Sequence, residues 1–179
     1  LIETMNDSFE TKAAVLAAKE TCDLPVFVTN TYDEQGKLMT GADCAAMVAM
    51  LEGLRVDALG VNCGLGPDKL AVVKNLTEFA SVPVIVNPNA GLPAFDGEKT
   101  VYDVGPEEFA GAMAAFLDLG VHGLGGCCGT TPEHISVLIE KTKDKKVVPL
   151  MDKNRSVISS YTHAVEFGTV AVLIGERIN

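Results

Sequence analysis

Ala58-Leu59-Gly60-Val61-Asn62-Cys63-Gly64-Leu65-Gly66-Pro67-Asp68 holds the pattern that decides the architecture. A short apolar run, long enough only for a buried strand, stops at an asparagine and a cysteine. It turns on glycines and a proline and leads into Asp68–Phe79, where Leu70, Val73, Leu76 and Phe79 recur at helical spacing. The unit is a strand, a polar tip and a helix. Upstream, Leu1–Thr4 reads as the end of a strand carrying Glu3, followed by a helix over Thr11–Glu20. Pro25–Asn30 is a strand tipped by Thr29-Asn30, followed by a helix over Asp43–Leu54. Downstream, Pro83–Val86 leads to Asn87-Pro88-Asn89 and a helix over Pro106–Leu119, and Val121–Gly125 leads to Cys127-Cys128 and a helix over Pro132–Lys143.

Strands and helices in alternation imply parallel strands joined by helical crossovers. An open doubly wound sheet and a closed barrel both satisfy that pattern. The open sheet would be favoured by a glycine-rich dinucleotide fingerprint after an early strand, and the sequence contains none. In a barrel, chemistry collects at the C-terminal ends of the strands, which is where the polar and metal-competent residues of all five units fall. The expected fold is therefore α/β, a (β/α)8 TIM-type barrel of which this chain carries about the last five strand-helix units. The first three would lie outside it, so the chain reads as a piece of a longer one. Its expected organisation is residues 1–144 as the C-terminal part of the barrel, 145–169 as a polar connector without clear periodicity, and 170–179, with a strand at Val170–Ile174, as the start of a following domain.

Bulk properties narrow the function by exclusion. The net charge of −10 leaves no basic field for nucleic acid or an anionic membrane surface. No apolar run approaches the roughly 18–20 residues that span a bilayer, and the N-terminus lacks the basic start and apolar stretch of a secretory signal. The expected location is cytoplasmic. The 5 cysteines are an odd count in a chain without secretory features, which weighs against a disulfide framework and towards a metal or a reactive thiol.

Cys127 and Cys128 are adjacent, and neighbouring side chains in a strand point to opposite faces. They reach a common metal only if the backbone leaves the strand there, and Gly125, Gly126 and Gly129 permit the φ/ψ values this needs. Thr130 or Thr131 then caps the next helix, with Pro132 in its first turn and Glu133 as its capping-box partner. Cys63 ends another strand on the same rim. Three thiolates on zinc would leave a fourth position open, the pattern of a catalytic site. Core packing or a vicinal disulfide accounts for the same residues equally well from spacing alone. Cys22, Cys44, His122, His134 and His163 have no partner at ligand spacing and read as structural.

Four motifs in order carry a resemblance. Leu1-Ile2-Glu3-Thr4, Gly60 to Asp68, Pro88-Asn89-Ala90-Gly91-Leu92-Pro93 and Gly125-Gly126-Cys127-Cys128-Gly129-Thr130-Thr131-Pro132-Glu133-His134-Ile135 are similar to the zinc-dependent homocysteine S-methyltransferases. They resemble most the homocysteine-binding module of the cobalamin-dependent methionine synthases. Val172-Leu173-Ile174-Gly175-Glu176-Arg177-Ile178-Asn179 is similar to the first strand of the pterin-binding barrel that follows in those enzymes. The resemblance implies a methyltransferase that activates the thiol of homocysteine to form methionine. Zinc would be held by Cys63, Cys127 and Cys128, and Asn89 would stand at the fourth position when substrate is absent. Glu3 would pair with the substrate ammonium, and Asn62 would hydrogen-bond beside the metal ligands. The methyl group would come from methylcobalamin, recharged by methyltetrahydrofolate, through cobalamin-binding and pterin-binding modules of the same polypeptide. Direct transfer from betaine or S-methylmethionine, or a non-catalytic piece with structural or redox cysteines, are the alternatives.

Overall fold

The computed structural model describes residues 1–69, 71–173 and 175. Five strands, β1 (Ile2–Met5), β2 (Phe27–Asn30), β3 (Ala58–Asn62), β4 (Val84–Asn87) and a later strand at Gly123–Leu124, form one parallel sheet that follows chain order from edge to edge. Helices α1 (Ser8–Thr21), α2 (Cys44–Gly53), α3 (Val72–Phe79), α4 (Pro106–Asp118) and α5 (Pro132–Thr142) alternate with them. Right-handed crossovers that all step the same way lay every helix on one face, whereas a doubly wound sheet reverses direction. The sheet runs in a single direction and lacks the reversal of a doubly wound fold.

Local sequence explains the elements. β3 is buried along its whole length, as an interior parallel strand must be. Asp7 and Asp43 cap α1 and α2, each accepting an N–H of the first turn. The apolar core runs between sheet and helices through Val28, Leu59, Val61, Val84 and Val86 on the strands and Val15, Met47, Leu51, Val73, Leu76, Phe109 and Met113 on the helices. The buried polar side chains of Thr29, Asn30, Asn62 and Asn89 lie at the C-terminal ends of the strands or just beyond them. Burial, and after it the Asp43 carboxylate, push the Cys44 thiol up from 9.0 to about 11.

That last shift gives a stability prediction. Above about pH 9 the unfolded chain loses a proton that folded Cys44 keeps, so stability is intact below pH 9 and falls as the pH rises towards 11, by ~3 kcal/mol in total. Buried Tyr32, pushed well above 10 by desolvation, acts in the same direction. Urea midpoints at about pH 8 and about pH 10.5 should differ less in Cys44→Ala than in the parent protein; an equal fall in both would rule Cys44 out.

Two features were not anticipated. The turn after β4 carries a short hairpin of β5 (Ala94–Phe95) and β6 (Thr100–Val101), so the strand at Gly123–Leu124 is β7. The stretch read as a polar connector contains a second hairpin, β8 (Ser156–Ser159) with β9 (Ala164–Phe167). It lies over α2 and is pinned at several points. Ser8 Oγ donates to the Tyr161 carbonyl at 3.0 Å, Asp43 N–H donates to the Thr162 carbonyl at 3.1 Å, Tyr161 bonds the Asp7 carboxylate, and Arg155 stacks 4.5 Å from the Phe79 ring centroid. Strands of this length, with half their residues facing solvent, leave no periodicity to read. The strand expected at Val170–Ile174 is absent among its described residues, 170–173, which are exposed coil; Ile174 and residues 176–179 of the tail motif lie outside the described residues.

Candidate metal centre

The segment after β4 organises the cysteines. Asn87 accepts the Cys63 N–H on its carbonyl at 3.0 Å, and Pro88 accepts the Cys127 N–H at 2.8 Å. The Asn89 side-chain oxygen accepts the Cys128 N–H at 3.0 Å, while Ala90 N–H donates to the Cys128 carbonyl at 2.8 Å. Four consecutive residues thus splint the end of β3 to the turn after β7. Asn89 is also tied through its own N–H to the Leu65 carbonyl at 3.2 Å, closing the loop that follows Cys63.

Held in this way, the three cysteines converge. The Cys63 and Cys128 sulfurs are 3.9 Å apart, those of Cys127 and Cys128 are 4.0 Å apart, and all three lie within 4.8 Å of one another. Tetrahedral zinc with bonds of about 2.3 Å sets its sulfurs roughly 3.8 Å apart. The trio fits such an ion with little movement, and the adjacent pair is not bonded to itself. Burial, and after it the neighbouring Cys63, push the Cys127 thiol up from 9.0 to about 11. Cys127, crowded by other thiols without a cation, resists ionisation, and a dication reverses that balance.

The backbone reaches this geometry by a route partly different from the one expected. Of the three glycines, only Gly129 has a positive φ, +80°. Gly125 and Gly126 are needed for space: a Cβ at 125 would stand 2.5 Å from Asn87 Oδ1, and one at 126 would stand 2.6 Å from Thr130 Oγ1. The left-handed residue that spacing did not reveal is Cys63 itself, with φ 59°. The helix cap differs as well. Thr131 caps α5, but its partner in the capping box is His134, three residues on, and Glu133 takes no part. His134 accepts the Thr131 N–H on Nδ1 and donates from Nε2 to the Val104 carbonyl, so its role is structural.

Asn62 is 1% exposed and fully engaged. Its Oδ1 accepts from the Thr29 hydroxyl at 2.7 Å and from the Thr4 N–H at 2.9 Å; its Nδ2 donates to Thr4 Oγ1 at 2.8 Å and faces the Cys127 sulfur at 3.9 Å. The expected hydrogen bonding beside the cysteines is present and extends further than expected. Glu3 is exposed within β1, next to Thr4, which bonds Asn62. Tyr102, which nothing in the sequence singled out, comes back from the β5–β6 hairpin onto the cysteine turn. A Cβ at Gly129 would stand 2.3 Å from its ring, and burial, the reach of its phenol to Cys128 and the other thiols raise it above its ordinary value. A cleft of about 830 Å³ between α2 and the β8–β9 hairpin, lined by Glu52, Phe79, Arg155 and Glu166, includes none of the cysteines.

A family model described as homocysteine S-methyltransferase matches residues 1–142. Methionine synthase of Mycobacterium leprae (strain TN) is 36% identical over the whole chain, as is methionine synthase of Mycobacterium tuberculosis (strain ATCC 25618 / H37Rv). The chain spans 16% of the length of each. The homocysteine methyltransferase MmuM from Escherichia coli in its apo form superimposes with a TM-score of 0.63 at 25% identity, over 78% of this chain and 48% of that one. The metallated form of the same protein has a TM-score of 0.64 at 23% identity, over 79% and 45%. Among the described residues no helix is long and apolar enough to cross a membrane.

Proposed function

Because this chain belongs to the homocysteine S-methyltransferase family, we propose that it activates the thiol of homocysteine for methyl transfer on a zinc ion held by Cys63, Cys127 and Cys128. The observation that carries this reading is the convergence of the three sulfurs within 4.8 Å at the C-terminal ends of parallel strands. Zinc bound there supplies Lewis acidity that ionises an incoming thiol near neutral pH. The remaining work falls to the chain. Asn87, Pro88 and Asn89 hold the three cysteine N–H groups and so fix where the sulfurs stand. Glu3 pairs with the substrate ammonium, and its exposure on β1 suits a group that must meet a ligand from solvent. Asn89 would help to hold the ion when substrate is absent; its side-chain oxygen, bonded once to the Cys128 N–H, keeps a second lone pair.

The same reading takes the sheet as the last five units of a (β/α)8 barrel, supported by the unidirectional strand order. The methyl donor is methylcobalamin, recharged from methyltetrahydrofolate by cobalamin-binding and pterin-binding modules of the same polypeptide; the two relatives named methionine synthase support this over a direct onium donor. Residues 145–169 are then the connector and 170–179 the start of the pterin-binding module. X-ray absorption at the zinc edge should report three sulfurs and one light atom without homocysteine, and four sulfurs with it. A spectrum indifferent to homocysteine would reject the proposal.

A further inference from the structure

Thr4 is a β-branched residue with φ 61°, a conformation that such residues strongly avoid. It stands at the C-terminal end of β1, where the pairing with β2 loses register between Ile2 and Met5. Leaving the ladder frees the Thr4 N–H, and Asn62, on the next strand but one, takes up both that N–H and the Thr4 hydroxyl. The same Asn62 amide bonds Thr29 on the strand between and faces the Cys127 sulfur. One buried side chain therefore joins the strand that carries Glu3 to the turn that carries the cysteines. Local strain of this kind persists only where the surroundings over-determine it. Hydrogen bonds at 2.9 and 2.8 Å from a 1% exposed amide are such surroundings.

We propose that Asn62, acting through Thr4, is a positioning device that fixes the place of Glu3 relative to the three sulfurs, and thereby selects amino-thiols of the length of homocysteine. The inference rests on the reading of Glu3 and the cysteines given above. A thiol bound at the sulfur end alone does not sense where Glu3 stands. A thiol that also carries an ammonium senses it fully, because both of its ends must be met at once.

Zinc-loaded parent protein, Thr4→Ala and Thr4→Ser are compared by calorimetric titration with L-homocysteine and with 4-mercaptobutanoate, which is homocysteine without its amino group. Thr4→Ala keeps the backbone N–H but removes the acceptor for Asn62 Nδ2; Thr4→Ser keeps a hydroxyl there. Homocysteine should bind Thr4→Ala about three- to tenfold more weakly, the effect of one lost hydrogen bond. Its zinc content and its affinity for 4-mercaptobutanoate should be unchanged, and Thr4→Ser should recover homocysteine binding. Equal weakening of both thiols, or none of either, would overturn the positioning role. Failure of the parent protein to bind zinc or homocysteine would instead overturn the function on which it rests.

Discussion

Replacing Cys127 with serine is expected to weaken zinc binding by between about 10² and 10⁴ and to reduce methyl transfer to background. Thiolate zinc sites bind with roughly 10–16 kcal/mol of apparent free energy, and a third of that, at 1.4 kcal/mol per tenfold, gives this range. The loss should concern the metal and not the fold. Cys127 is half-buried outside the apolar core, and its N–H bond to Pro88 is a backbone bond that serine keeps. Exposed Cys22 supplies the control, since Cys22→Ser should hold zinc as tightly as the parent protein. The pH dependence sharpens the test. Burial and Cys63 hold the Cys127 thiol protonated up to about 11, so zinc must displace that proton throughout the neutral range. Apparent affinity should rise with pH, by about tenfold per unit from this thiol alone, and Cys127→Ser should remove that part of the slope. Competition against a chromophoric chelator at several pH values measures both quantities. Undiminished affinity in Cys127→Ser would mean that the trio is not the metal site.

What could be read in advance divides along a physical line. The five sheet strands and their helices were legible because burial writes itself as apolar periodicity, as in the unbroken Ala58-Leu59-Gly60-Val61 run of β3 and the Val73, Leu76 and Phe79 stripe of α3. Cys63, Cys127 and Cys128 were legible as candidates because strand ends are predictable and glycines mark the turns. Their convergence was not legible, since it depends on the Asn87–Ala90 splint, whose contacts, apart from the Asn89 side-chain oxygen, are made by backbone groups that carry no sequence signature. Thr4 and Tyr102 were missed for related reasons. The left-handed backbone of Thr4 is imposed by Asn62, 58 positions away in sequence, and the approach of Tyr102 to Gly129 is imposed by a hairpin of two-residue strands. The β8–β9 hairpin was hidden because Arg155, Tyr161 and Thr162 dock on the helices through isolated polar and aromatic contacts, without a repeating pattern.

Gly60→Ala is expected to destabilise the chain by more than about 4 kcal/mol, which few single substitutions do. Gly60 lies in the middle of β3, paired with Thr29 on one side and Ile85 on the other. A Cβ there would stand 1.8 Å from the Ile85 carbonyl oxygen, 2.7 Å from its carbon and 2.9 Å from the Ile85 nitrogen. All three are backbone atoms, so no rotamer change relieves the overlap, and β3 and β4 must separate. Separation takes with it the Leu59 N–H to Pro83 and Cys63 N–H to Asn87 bonds, and with the latter the first tie of the splint. A domain of this kind has only ~5–15 kcal/mol of stability in total, so a cost of that size leaves little folded protein. The contrast with Cys127→Ser is informative, because there the metal is lost and the fold kept, whereas here the fold fails and the site fails with it. Gly53→Ala is the matching control: its Cβ meets nothing within 4 Å, and alanine in place of a helical glycine should be neutral or stabilising by up to ~1 kcal/mol. Soluble yield and urea midpoints for the two variants decide the matter. A Gly60→Ala protein with the parent midpoint would show that β3 and β4 do not lie in this register, and the alignment of Cys63 with Asn87 would fall with it.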